Sequence, residues 1–384
     1  MTPEHPKPLN IRWSFGPRYP MGIQLSAVGL IGGSLISAGG ATRYPKDVVT
    51  KYPDVFGGAA DGATSITFAL DTRRAAADWT RIPDMPGPKR ETGMAVTVEN
   101  ALYVFGGFSY SPPYTLRDGY RLRRQGDGWV WDTLPVELPW PVCQAGIAAI
   151  GSRIYMLGGA DFRAEGSGKP DFFTDASRDG HAVGVALLTL DTKDLAAGWR
   201  ELAPLPGLSR FDQAFAAVGN RLYTLAGNHR GHDVLPMEYR NVVDAWVYDA
   251  DAARWSQLPD APVSANASAI SWRNYIILAG GFRYAETLHL DGARTEVYSA
   301  QERKLAAAKK YEAFVEKNVF VFDTRRARWG RSDSLQEQVS QPMTAVAGDR
   351  IFLLGGEGGQ LWHSDTLQIG TVEETLSGSG RRAH

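Results

Sequence analysis

The sequence predicts an all-β protein, a six-bladed propeller of four-stranded sheets, on three observations. An apolar run ending in a small-residue doublet recurs six times, at Gly39-Gly40, Gly106-Gly107, Gly158-Gly159, Ala226-Gly227, Gly280-Gly281 and Gly355-Gly356. A tryptophan precedes each doublet by 25 to 27 residues: Trp13, Trp79, Trp131, Trp199, Trp255 and Trp329. Ahead of each apolar run stands a two-residue turn, such as Glu99-Asn100, Gly151-Ser152 or Gly348-Asp349, with the chemistry a tight hairpin requires. Self-similarity at a fixed period marks an architecture whose units bury their faces on one another.

Within a repeat the elements follow in a fixed order. After the Trp comes a Pro-rich crossing such as "RIPDMPGPKR", then an inner strand of small and β-branched residues, the hairpin turn, and the apolar strand that ends in the doublet. A third strand follows ("ITFALDT", "ALLTLDT", "VFVFDTR"), and a short polar turn leads to the next Trp. This is the pattern of Kelch repeats, and six such sheets arranged radially make a propeller. The glycines permit close backbone approach or positive φ, and the Trp is a rigid wedge between blades. No helix with Lys-Ser/Thr follows any doublet, so none reads as a phosphate loop.

Ring closure is also legible. The last doublet is followed by the third strand "SDTLQIG" and no further Trp, whereas Trp13 stands in "NIRWSF" without strands of its own. Residues 9–15 are therefore expected to form the outer strand of the last blade, which leaves no open sheet edge at the joint. The propeller is assigned to 9–370, followed by a flexible tail over 371–384.

Composition narrows the function classes. A net charge of −1 without a long basic run argues against a nucleic-acid binder, and no apolar stretch approaches the roughly 20 residues of a membrane-spanning helix. The single cysteine, Cys143, excludes an internal disulfide and a Cys-based zinc cluster, and neither metal nor cofactor is expected. The start "MTPEHPKPLNIRW" has no signal-peptide core, so the chain reads as cytoplasmic as it stands, or periplasmic if an export signal has been trimmed.

The reactive face should be the one where the second-to-third and fourth-to-first strand connections emerge. Its loops are long and rich in polar and aromatic groups, from "ATRYPKDVVTKYPD", which carries Tyr44, to "FSYSPPYTLRD" and "NHRGHDVLPMEYRN". The inner strands begin near Gln24, Arg90, Glu91, Gln144, Arg210, Asp212, Asn266 and Gln341, whose side chains should ring the channel mouth. Such a set suits a polyhydroxylated, anionic ligand, with Arg pairing a carboxylate and amides and aromatics taking hydroxyls and rings. The fifth repeat holds an insertion over 299–318, rich in Ala, Lys and Glu and opening with a capping-box pattern. It predicts a helix with Leu305, Ala308, Tyr311 and Val315 on one face.

The blade count, the split last blade, this insertion, "LDTRRAAADWTRIPDMPGPKRETG" and the ending "LLGGEGGQLWHSDTLQI" together resemble the bacterial N-acetylneuraminate (sialic acid) mutarotases and their cyclically permuted relatives. The resemblance implies a catalytic glutamate directly after the fourth doublet and an arginine in the same loop. Arg240 matches the arginine, Arg90 matches a family arginine before an inner strand, and the glutamate position holds Asn228. An amide exchanges protons poorly, so a replacement is needed. Glu238, Glu357, Asp212, Glu91, His229 and His232 are the candidates, a histidine having a pKa near neutrality. The family arginine before the last inner strand is absent, with Val339 or Ser340 there.

Three readings stay open. The first is a sugar mutarotase or related isomerase in which Arg240 and Arg90 hold a sugar acid. The second is a non-catalytic propeller that binds a carbohydrate or a protein partner, which the loss of the glutamate favours. The third is a glycan hydrolase or lyase using two carboxyl groups across the pocket, although no S-x-D-x-G-x-x-W box occurs. A copper radical oxidase is set aside, since Cys143 has no evident Tyr partner and the blade count differs.

Overall fold

A computed structural model of the chain describes residues 7–43, 61–91, 93–164, 170–173, 177–178, 181–229, 240–262, 266–283, 287–288, 314–358 and 363–375. Six four-stranded antiparallel sheets follow one another around a ring, with their inner strands Ala27–Ile31, Met94–Val98, Gly146–Ile150, Ala214–Val218, Ser268–Trp272 and Met343–Ala347 in sequential contact and the sixth against the first. We number the blades 1 to 6 by these strands. Blade 6 takes its outer strand from the other end of the chain: Leu9–Phe15 pairs antiparallel with Leu367–Glu374, Trp13 opposite Gly370. That last strand runs four residues beyond the expected end of the propeller at 370, so the tail starts later than 371.

The apolar core is divided among the blade junctions. Six clusters of buried side chains form, one between each pair of neighbours, such as Met94, Phe105, Met156 and Leu188 between blades 2 and 3. Both faces of every sheet are thereby buried, which explains strands that are apolar nearly throughout rather than alternating. The tryptophans act where the repeat pattern placed them. In five blades the indole Nε1 donates to a carbonyl of the preceding crossing: Trp79 to Pro17, Trp131 to Pro83, Trp255 to Ala203, Trp329 to Pro259 and Trp13 to Asp333, at 2.9–3.2 Å.

The doublets join blades through the backbone. In five of them the second residue donates its N–H to a carbonyl just ahead of the next inner strand, as Gly356 does to Ile23 at 2.8 Å and Gly107 to Val142 at 3.0 Å. Gly355 shows why a side chain is excluded: its φ is +60° and an added Cβ would stand 2.1 Å from the Ile23 carbonyl oxygen.

The expected helix over 299–318 is not found where that segment is described. Phe314–Val315 is instead a strand paired with Phe282–Arg283, because an aromatic and a β-branched residue gain more from strand pairing than from helical propensity. Residues 299–313 lie outside the described residues. Among the described residues the helical elements are two 3-10 turns, Val183–Val185 and Leu195–Ala197, and no helix is long and apolar enough to cross a membrane.

Candidate functional site

The channel mouth is built by a backbone device that repeats around the ring. Two residues before the inner strand of five blades stands a residue in the left-handed region: Leu25, Gln144, Asp212, Asn266 and Gln341, with φ between 50° and 62°. Such a conformation is costly for a side-chain-bearing residue, about 1 kcal/mol or more, and persists where surrounding contacts impose it. Here the contacts are inter-blade: Asp212 N–H donates to the Gln144 carbonyl, Asn266 N–H to Asp212, and Gln341 N–H to Asn266, at 2.8–3.0 Å. In these five blades the turning residues line a cavity of about 230 Å³ at the axis.

Asp212 is the electrostatic centre of this mouth. Its Oδ2 accepts from Gln144 Nε2 at 3.2 Å and from Gln341 Nε2 at 3.4 Å, the second donor reaching from blade 6. Burial pushes its carboxyl up to about 8, the charges of Glu357 and Glu91 add to the rise, and hydrogen bonds from Gln341 and Asn228 oppose it. This favours the protonated carboxyl at neutral pH. Asn228 donates to Asn266 Oδ1 at 3.0 Å and is buried, so the amide at the family's glutamate position is part of the same network. Gln144 also lines the cavity, and its Oε1 is buried with no hydrogen-bond partner among the described residues.

Other expected residues divide into two groups. Glu91 and Glu357 sit on the mouth rim: Glu91 pairs with Phe108 across its blade and receives the Tyr110 hydroxyl at 3.1 Å, and Glu357 pairs with Ser340 and His363. Gln24 is likewise paired with Ala41 at the rim. His229 is buried, its Nδ1 2.8 Å from the Ser209 carbonyl and 3.1 Å from the Ser209 hydroxyl. Its backbone stands opposite Arg240, in a ribbon where Asn228–His229 pairs with Arg240–Val242, and the latter runs parallel to Thr287–Leu288 of blade 5. Glu238, His232 and Tyr44 lie outside the described residues, as does the side chain of Arg240.

Arg90 and Arg210 are a correction. Both were expected to face the ligand, and both are almost completely buried, at 1% and 0% exposure. Arg210 Nη2 pairs with Asp244 at 2.8 Å, Nη1 with the Ala226 and Asp244 carbonyls, and Nε with Leu208 O at 3.0 Å. Arg90 repeats the arrangement with Asp118, Gly106 O and Pro88 O. The paired aspartate also accepts from an aromatic donor two residues on, Tyr120 at 2.7 Å or Trp246 at 2.5 Å. Burial works against ionisation of Asp118, yet the Arg90 hydrogen bond and charge outweigh it and hold the carboxyl below its usual range. These arginines tie doublet, crossing and third strand together inside blades 2 and 4, and present nothing to the channel.

Below the mouth the channel continues as a second cavity of about 440 Å³, walled by inner-strand residues such as Gly29, Ala95, Ala149, Ala217 and Ala345.

Six radial sheets closed by the chain's two ends define a Kelch-type six-bladed β-propeller. No family model matches the chain. It is similar to the N-acetylneuraminate epimerase of Haemophilus influenzae (strain 86-028NP), 23% identical over 315 residues that cover 76% of this chain and 79% of the relative. A Kelch domain-containing protein of Vibrio cholerae (serotype O1, strain ATCC 39315 / El Tor Inaba N16961) is 32% identical over 104 residues, 26% of this chain and 28% of that protein. The solved structure of YjhT superimposes over 94% of this chain and 97% of its own with a TM-score of 0.64, and at 14% identity it speaks for the fold.

Proposed function

We propose that this propeller is a mutarotase for a sialic-acid-like sugar, with Asp212 as the acid of the site. The carrying observation is a carboxyl raised to about 8, set over the channel between amide donors from two blades and close enough to Glu357 and Glu91 to feel their charge. Similarity to N-acetylneuraminate epimerases at 22–23% identity over three quarters of the chain supports the sugar class.

Mutarotation needs one group to take the anomeric hydroxyl proton and another to protonate the ring oxygen. Carboxyl groups whose environments push them apart divide those roles. Asp212 gives its proton to the ring oxygen as a rim carboxylate, Glu357, takes the anomeric proton. The bond between the anomeric carbon and the ring oxygen breaks, leaving an open-chain carbonyl and no net change in charge. Rotation about the adjacent C–C bond presents the other carbonyl face, and the two proton transfers run in reverse. Gln144, Gln341 and Asn266 hold sugar hydroxyls, and Arg240, on the ribbon beside Asn228, takes the sugar carboxylate. Asn228 supports the ring as a hydrogen-bond partner of Asn266, so losing the family glutamate at this position does not remove the acid.

The test is anomeric equilibration by proton NMR on freshly dissolved N-acetylneuraminate, glucose and galactose. Acceleration of one sugar is expected, reduced about 10²-fold or more in Asp212→Asn and in Glu357→Gln, with activity falling as pH rises through about 8, where Asp212 loses its proton. Line broadening of a sugar without acceleration, in a protein of native fold, would leave a binding propeller and end the catalytic reading.

A further inference from the structure

Leu25 is the exception among the turning residues of the mouth. It stands two residues ahead of the inner strand of blade 1, at φ 53°, the place where blades 3 to 6 carry Gln144, Asp212, Asn266 and Gln341. Asn and Asp tolerate the left-handed region because a short polar side chain can hydrogen-bond locally, and leucine has no such compensation. The backbone on both sides of it is pinned. Gln24 N–H donates to the Ala41 carbonyl at 3.1 Å and Ala41 N–H to the Gln24 carbonyl at 2.9 Å, while the buried Ser26 hydroxyl meets that of Ser37 at 2.9 Å. Strained residues of this kind persist where their surroundings impose them, and they gather at ligand sites.

Its position says what kind of ligand. In a closed ring of six, blade 1 lies across the axis from blade 4, so Leu25 holds on one side of the mouth the place that Asp212 holds on the other. Both line the cavity of about 230 Å³. Met94 and Met343, which open the inner strands of blades 2 and 6, line it on either side of blade 1. Leu25 is half-buried and belongs to none of the six apolar clusters between blades, so junction packing does not account for a leucine here. The mouth is thus two-sided, with an arc of amides and a carboxyl over blades 3 to 6 and an apolar sector centred on blade 1.

We infer that Leu25 is a specificity-determining residue of this mouth, seating the C–H side of a pyranose whose hydroxyls are turned to Gln144, Asp212, Asn266 and Gln341. A pyranose carries both kinds of surface. A hydroxyl or charged group set against Leu25 would give up its hydrogen bonds to water without replacement, so the leucine selects how the ring lies as well as what it binds. The inference deepens the mutarotase reading and rests on it only for the identity of the sugar.

The experiment is NMR of protein carrying ¹³C-labelled leucine methyl groups, with N-acetylneuraminate, galactose and glucose as probes, beside anomerisation kinetics, on the wild type, Leu25→Asn and Leu25→Met. The Leu25 methyl signals are those missing from Leu25→Met. Asparagine suits the left-handed region, so Leu25→Asn should melt close to the wild-type temperature. The contact predicts nuclear Overhauser transfer between the Leu25 methyl groups and C–H protons of the bound sugar. Leu25→Asn should weaken binding and raise KM about fivefold to tenfold, the share of a partly buried leucine, with kcat within about twofold. Leu25→Met should recover most of the lost affinity. Methyl transfer, and binding weakened by Leu25→Asn, in a protein that binds without accelerating would uphold the contact while the mutarotase reading falls. An active wild type with no transfer to the Leu25 methyl groups and the same KM in Leu25→Asn would overturn the contact alone. A wild type that neither binds nor accelerates any of the three sugars would overturn both.

Discussion

Arg210 and Asp212 are separated by one residue and live in opposite electrostatic worlds. Arg210 is sealed inside blade 4, its charge matched by Asp244 and its remaining N–H groups by backbone carbonyls. Asp212 stands at the axis among amides, where burial and the repulsion of Glu357 and Glu91 push its carboxyl up to about 8. In a regular strand, residues i and i+2 would share a face. The left-handed φ of 50° at Asp212 breaks that alternation and turns the chain from blade interior to channel. In blade 4 one residue of positive φ thus divides a stabilising charge pair from a carboxyl at the channel mouth.

The sharpest way to break this comparison is to exchange the two roles. Arg210→Ala leaves Asp244 buried and unpaired, which should cost about 3–5 kcal/mol and shift the urea midpoint strongly. A variant of native stability that has lost sugar binding would place Arg210 back at the mouth. Gly355→Ala tests the stitching between blades: a Cβ against the Ile23 carbonyl at positive φ should cost about 2–4 kcal/mol by chemical denaturation, and a neutral outcome would mean the junction can shift. Arg240→Ala should leave stability within about 0.5 kcal/mol and weaken an anionic sugar at least about tenfold by titration. Equal affinity would remove it from the site.

A further effect concerns pH. A carboxyl raised from 3.8 to about 8 binds its proton more tightly when folded than when unfolded. Its contribution is therefore fully present below about pH 4 and is lost as pH rises through about 8. Melting temperature should decline across that window from this group, and Asp212→Asn should flatten the decline. A variant that parallels the wild type from pH 5 to 9 would argue that Asp212 ionises normally.

The architecture was legible because a propeller repeats itself: doublets, tryptophans and turn residues mark the same points six times, and the orphan Trp13 exposes the closure. The mouth ring was legible in part. Gln144, Asp212, Asn266 and Gln341 follow from their place ahead of inner strands, but nothing local shows the positive φ that aims them. Arg90 and Arg210 were misread because their partners, Asp118 and Asp244, lie 28 and 34 residues away on third strands. The repeated aspartate before Gly119-Tyr120 and Ala245-Trp246 was the available signal. The expected helix rested on the Ala and Lys of the insertion, and at its described end Phe314–Val315 pairs with a neighbouring strand.

The most direct test of the central claim is a carboxyl-carbon NMR titration of protein labelled with ¹³C-aspartate, the wild type beside Asp212→Asn. An aspartate resonance titrating near 8 in the wild type and missing from the variant is the expected result. If every aspartate titrates below about 5, within the ordinary carboxylate range, Asp212 holds no proton at neutral pH and cannot be the acid of this site.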